Sequence, residues 1–131
     1  MRAMIPAGEI LMVGNGVASR LLLVAAGLCG ALGVAAAARA SHAGDDNLGI
    51  AANFLLLHAP VLIGLSLMAF NRVAVAAGVV LLVGLVLFAG DLAARSVLGG
   101  ALFPMAAPLG GGGLIVGWLM VALAGVVGRR S

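Results

Sequence analysis

The sequence has no lysine and no tyrosine, and only four acidic residues, Glu9, Asp45, Asp46 and Asp91, among 131. Charged residues make up 8% of the chain and hydrophobic ones 64%, where a soluble domain carries roughly 25% charge. That leaves too little polar surface to coat a globule in water. Cysteine occurs once, at Cys29, which excludes an intrachain disulfide and cysteine-based zinc sites. Cys29 falls inside an apolar run and reads as a small buried hydrophobe. The two histidines, His42 and His58, lie 16 positions apart and make a poor metal site, so no metal is expected. No GxGxxG or GxxxxGK[ST] motif follows a strand, which leaves nucleotide binding without support, and no cofactor is expected. No nucleophile is paired with a base, and no acid lies within the apolar runs. The chain therefore reads as a protein other than an enzyme, with no catalytic residue.

What it does have is four long apolar stretches, Leu21–Ala38, Leu48–Phe70, Val73–Gly90 and Leu109–Gly128, in which His58 is the one residue with an acidic or basic side chain. Each reaches the roughly 18 residues needed to cross a hydrocarbon core of about 30 Å as a helix. Runs such as LLLVAAGLCGALGVAAAA are apolar all round, whereas a soluble bundle would keep a polar face on every helix. The expected fold is an all-α integral membrane protein, an antiparallel bundle of four transmembrane helices, with the lipid bilayer as its first partner.

The seven basic residues, all arginine, punctuate these stretches instead of forming a stripe that phosphates could follow, so nucleic acid is not expected as a partner. The N-terminal tail, the Asn71–Arg72 turn and the C-terminal tail hold five arginines between them, against Arg39 and Arg95 on the other side. By the positive-inside rule both termini are cytoplasmic, or on the equivalent inner side of an organelle, and a cell inner membrane is the expected location.

Residues 1–20, interrupted by Pro6, Gly8, Gly14 and Gly16, read as a mobile tail with at most a short interfacial segment around Ile10–Val13. Arg20, the apolar core and Ala35–Ala38 imitate a cleavable signal peptide, but the tail before the core is long for one, and retention is the expectation. Gly44-Asp45-Asp46-Asn47 reads as a turn followed by a cap for the second helix. The second and third spans are joined by little more than Asn71 and Arg72, which makes them antiparallel neighbours. The third helix should break at Gly99-Gly100, and 101–109, with Pro104 and Pro108, should form an irregular loop. Residues 129–131 form a short basic tail.

Small residues let helices approach closely in lipid, and Gly27, Gly30 and Gly33 on the first helix, with Gly113 and Gly117 on the fourth, are the expected packing positions. His58 lies near the middle of the second span, where polar groups are expensive, and is the strongest candidate for function. A hydrogen bond to a neighbouring helix is its plainer role, and a proton relay or ligand contact the alternative. Pro60 cannot donate to the Leu56 carbonyl and should bend the helix beside it. Asp91 and Arg95 have the spacing of an i,i+4 pair that would bind helix ends together with Arg39. Asn53 could hydrogen-bond inward. His58, Asn53 and Asp91 together form the candidate intramembrane polar site.

Three stretches carry a family resemblance. Leu32-Gly33-Val34-Ala35 with its alanine-rich continuation is similar to an LGAFGAH element, and Phe54-Leu55-Leu56-Leu57-His58-Ala59 to an aromatic and histidine pattern. Leu87-Phe88-Ala89-Gly90-Asp91-Leu92, Ala107-Pro108-Leu109-Gly110-Gly111 and Gly117-Trp118-Leu119 are similar to LFSGSLY, TPxGG and GW elements. In this order they resemble domain-of-unknown-function family 423, the small four-helix membrane proteins related to transmembrane protein 256. The chain departs from that pattern in having alanine near Ala37 or Ala38 where the family has histidine, Leu57 where it has an aromatic, and Asp91 where serine is common. The resemblance implies fold and topology but no activity. The expected role is a non-enzymatic structural or accessory membrane component, packed against other membrane proteins or further copies of itself. The alternative is a small transporter or channel-like protein with a polar path near His58.

Overall fold

The computed structural model describes Met4 and residues 6–128, with the backbone alone at 7–15. The described residues form four helices, α1 (Ala7–Ala43), α2 (Asp46–Ser66), α3 (Arg72–Val97) and α4 (Ala106–Val127), each long and apolar enough to cross a membrane. The chain has the all-helical architecture that its composition demands.

Helix α1 extends past the apolar run at both ends. It starts at Ala7, behind Pro6 at its N-cap, so the described part of the stretch expected as a tail is helical from there. Isolated glycines such as Gly14 and Gly16 weaken a helix by only about 1 kcal/mol each, and no proline follows Pro6 in this helix. Residues 1–3, 5 and the basic tail 129–131 lie outside the described residues. At the other end α1 continues past Arg39 to Gly44, whose left-handed conformation (φ 65°) closes the helix, and the N–H groups of Gly44 and Asp45 both reach the Ala40 carbonyl. Asp45 then caps α2, its carboxylate accepting from Leu48 N–H at 3.0 Å.

Helix α2 passes through Pro60 without interruption but ends at Ser66, four residues before the apolar run does. The Leu67 N–H is shared between the Ile63 and Gly64 carbonyls, which tightens the last turn and lets the chain swing round. Asn71 lies at the hinge, buried, accepting from Ala74 N–H at 3.1 Å as the cap of α3 and donating from Nδ2 to the Ala124 carbonyl near the end of α4 at 3.0 Å. Helix α3 runs seven residues beyond Gly90, because Asp91 is satisfied within the structure. Helix α4 starts at Ala106, inside the stretch expected as a loop, since Pro108 falls in its first turn, where a missing N–H removes no helical bond.

The helices pack as two hairpins, α1 with α2 and α3 with α4, joined through α2 and α3. Among the described residues the backbone of α4 approaches α3 alone, so the bundle does not close into a ring. Helix α3 is its centre, with 44% of an 18-residue stretch buried against 22% for such stretches of α1 and α4. The core is built from Leu22, Ala26 and Cys29 of α1, Leu62 of α2, Leu81 and Leu85 of α3 and Leu114 of α4.

The α3–α4 contact is backbone on backbone. A Cβ on Gly84 would sit 2.8 Å from the Leu114 nitrogen and 2.9 Å from the Gly110 oxygen, and one on Gly110 would collide with the Phe88 backbone. Gly113 lies against Gly84, and Gly117 against Leu81, whose Cδ2 a Cβ would meet at 2.6 Å. On α1, Gly33 is pressed against Leu55 and Leu56 and Gly30 faces Ala59, whereas nothing lies within 4 Å of the Cβ position of Gly27. The five glycines expected at contacts thus differ widely in how closely they are approached.

Candidate functional site

His58 is buried, 2% exposed, near the middle of α2. Its Nδ1 lies 2.8 Å from the carbonyl oxygen of Phe54, one turn back, and its Nε2 3.3 Å from Nε1 of Trp118 on α4. A carbonyl can only accept and an indole N–H can only donate, so the pair of contacts selects the neutral ring with its proton on Nδ1. The ring of Phe54 stacks on the imidazole at 5.8 Å between centroids, Trp118 meets it tilted by 58° at 5.9 Å, and Phe88 of α3 packs against Phe54 at 4.5 Å. Four rings from three helices, the imidazole among them, thus form one cluster. The contact between His58 and Trp118 also bridges α2 and α4, whose backbones stay apart.

Asp91 is fully buried near the far end of α3, and both of its oxygens are used. Oδ2 accepts from Nε of Arg95 at 2.9 Å, the i,i+4 pair expected from the spacing, and Oδ1 accepts from Leu102 N–H at 2.9 Å. The second bond pins the α3–α4 connection against the helix it has just left. Arg39 is not a partner of Asp91; its charge acts on Asp45 instead. Asp45 in turn accepts from the Ser96 hydroxyl, which ties the α1–α2 turn to the end of α3. That hydrogen bond, followed by the one from Leu48 N–H, holds the Asp45 carboxyl below its ordinary range.

Asn53 is exposed and lines an open hollow of about 630 Å3 beside the α1–α2 turn, with Ser41, Asp45 and Asp46. No hydrogen bond among the described residues joins His58, Asn53 and Asp91 to one another. The three candidates stand in three separate environments: a packed aromatic cluster, a loop clamp and the outer surface. Among the described residues no group of three or more His, Cys, Asp or Glu side chains is placed to hold a metal ion.

A family model described as a protein of unknown function (DUF423) matches residues 26–111, from the first helix through the start of the fourth. The chain belongs to that family. His58, Phe54, Phe88 and Asp91 of this DUF423 protein fall within the matched region, whereas Trp118 lies beyond it. No curated protein and no solved structure matches the chain. The sequence assigned no contact to Trp118, the Leu102 N–H, Ser96, Gly84 or Gly110, although Trp118, the single tryptophan of the chain, and Gly110 both lie in stretches that carry the family resemblance.

Proposed function

We propose that this DUF423 protein is a non-enzymatic structural or accessory component of a cell inner membrane, with both termini cytoplasmic. The observation that carries this reading is the state of His58. A histidine that relays protons or holds a ligand presents a nitrogen to a wet path, whereas both nitrogens of His58 are engaged by the protein, with Phe54 stacked on its ring and Trp118 tilted against it. Asn53 and Asp91, which a transport path would also need, stand elsewhere. What the molecule offers its surroundings is the apolar outside of its helices, including Leu28 and Leu32 of α1 and Ile115 and Leu119 of α4. Such a surface suits lipid, other membrane subunits or further copies of the chain. The orientation rests on the arginine distribution, five against two.

The test is a gentle-detergent pull-down of the tagged full chain with mass spectrometry of what accompanies it. Stoichiometric membrane subunits, or a defined homo-oligomer, are the expected result. A lone monomer that conducts ions or solutes after reconstitution into liposomes would overturn the proposal in favour of transport.

A further inference from the structure

Helices α1 and α3 touch at Leu22 and Gly78 but diverge towards the end of the bundle that holds the α1–α2 turn, and between them, floored by α2, runs an open groove of about 360 Å3. The groove stays unfilled because Ala35, Ala36, Ala51, Ala89, Gly90 and Ala93 have side chains too short to reach across it. The lining is apolar except at one point, Arg39. Seven residues separate Arg39 from Leu32, the first α1 residue of the groove, a rise of about 10 Å that fits within one leaflet of a roughly 30 Å core. Arg39 lies one turn before the end of α1, is exposed, and makes no hydrogen bond or ion pair among the described residues. The nearby carboxylate of Asp45 is taken by the Ser96 hydroxyl and Leu48 N–H.

We propose that this groove binds one anionic phospholipid, with an acyl chain lying along Ala36, Ala51 and Ala93 and the headgroup phosphate on Arg39. An apolar groove facing hydrocarbon does not hold water, which needs polar partners. Its floor on α2 and its walls on α1 and α3 present apolar side chains along which a hydrocarbon chain can lie. The unpaired guanidinium at its mouth selects the headgroup, because its planar fork matches phosphate oxygens and carries a full charge at any physiological pH.

The test is native mass spectrometry of the full chain in detergent, titrated separately with phosphatidylglycerol, phosphatidylcholine and oleate. Phosphatidylglycerol should be retained as a single adduct, with phosphatidylcholine and oleate held more weakly. Arg39→Gln should weaken phosphatidylglycerol by about fivefold, and Ala93→Leu, which fills the groove, should abolish the adduct. Should Ala93→Leu fail to fold, as judged by its thermal melt without lipid, Ala35→Leu on the exposed face of α1 serves as the second block and should have the same effect. Equal retention by the wild type and the groove-filling variant that folds would overturn the site. Equal binding by wild type and Arg39→Gln, or a preference for oleate, would overturn the headgroup assignment. A wild-type dimer lost in the groove-filling variants would show that a second copy occupies the groove and would overturn the proposal.

Discussion

Trp118 donates its indole N–H to Nε2 of His58, so the single tryptophan of the chain reports on its one deeply placed histidine. His58→Leu removes the acceptor and leaves that N–H unpaired in an apolar setting, for an expected cost of about 1–3 kcal/mol. His58→Gln and His58→Asn, which can retain a hydrogen bond, should be milder. Thermal melts of the three variants in one detergent, with tryptophan emission recorded alongside, check this. Equal, wild-type-like stability in all three would remove the structural role assigned to the histidine.

Gly110 and Gly27 make a second comparison, since both are helical glycines but only one is approached closely. Gly110→Ala drives a methyl into the Phe88 backbone and should destabilise by about 1–3 kcal/mol, because backbone cannot step aside as a flexible side chain can. Gly27→Ala meets nothing within 4 Å and should be neutral or stabilising by up to about 1 kcal/mol through helix propensity. Detergent melts of the two variants give the answer, and a loss at Gly27 equal to that at Gly110 would contradict the packing described.

These pairs mark how far the sequence could be read. The four spans follow from composition, because continuous apolar runs of about 18 or more residues fit a bilayer as helices that satisfy their own backbone groups. Asp91 and Arg95 were legible because helical spacing alone brings them together. Gly84 and Gly110 were not, since close approach depends on which faces of α3 and α4 meet, and with 21 glycines in the chain neither stands out. The link between Trp118 and His58 joins helices whose backbones do not touch, across 60 residues. Asn53 failed to join His58 for a simpler reason: five positions along a helix is about 140° around it, so one side chain faces inward and the other out.

Asp91 should act as a clamp on the connection between α3 and α4. Asp91→Ala frees the Leu102 N–H and leaves Arg95 without its partner, so amide hydrogen exchange should speed up across 98–105 while the α1–α2 hairpin is unchanged. Asp91→Asn keeps an acceptor for Leu102 and should be intermediate. Unchanged exchange in this segment for the alanine variant would show that the clamp holds nothing.

The orientation gives a topological prediction. Reporter fusions at Asn71 and Ser131 should score cytoplasmic and one near Gly44 external, because the arginines concentrate on the side of the first two positions. A cytoplasmic score near Gly44 would invert the assignment.

Asp45 predicts an acid-sensitive contribution at the α1–α2 turn. Its carboxyl is held below the ordinary range by the Ser96 hydroxyl and Leu48 N–H, so the folded state binds its proton less readily than the unfolded chain does. The resulting stabilisation is therefore complete above the unfolded carboxylate value, about 3.9, and is lost as pH falls from there through the lower folded value. The difference in melting temperature between wild type and Asp45→Asn should be constant from neutral pH down to about pH 5 and shrink below it. Ser96→Ala, which removes the larger of the two causes, should shift the acid loss of the wild type upward. A difference between wild type and Asp45→Asn that stays constant down to pH 2 would show that the carboxylate form of Asp45 is not what holds the turn to α3.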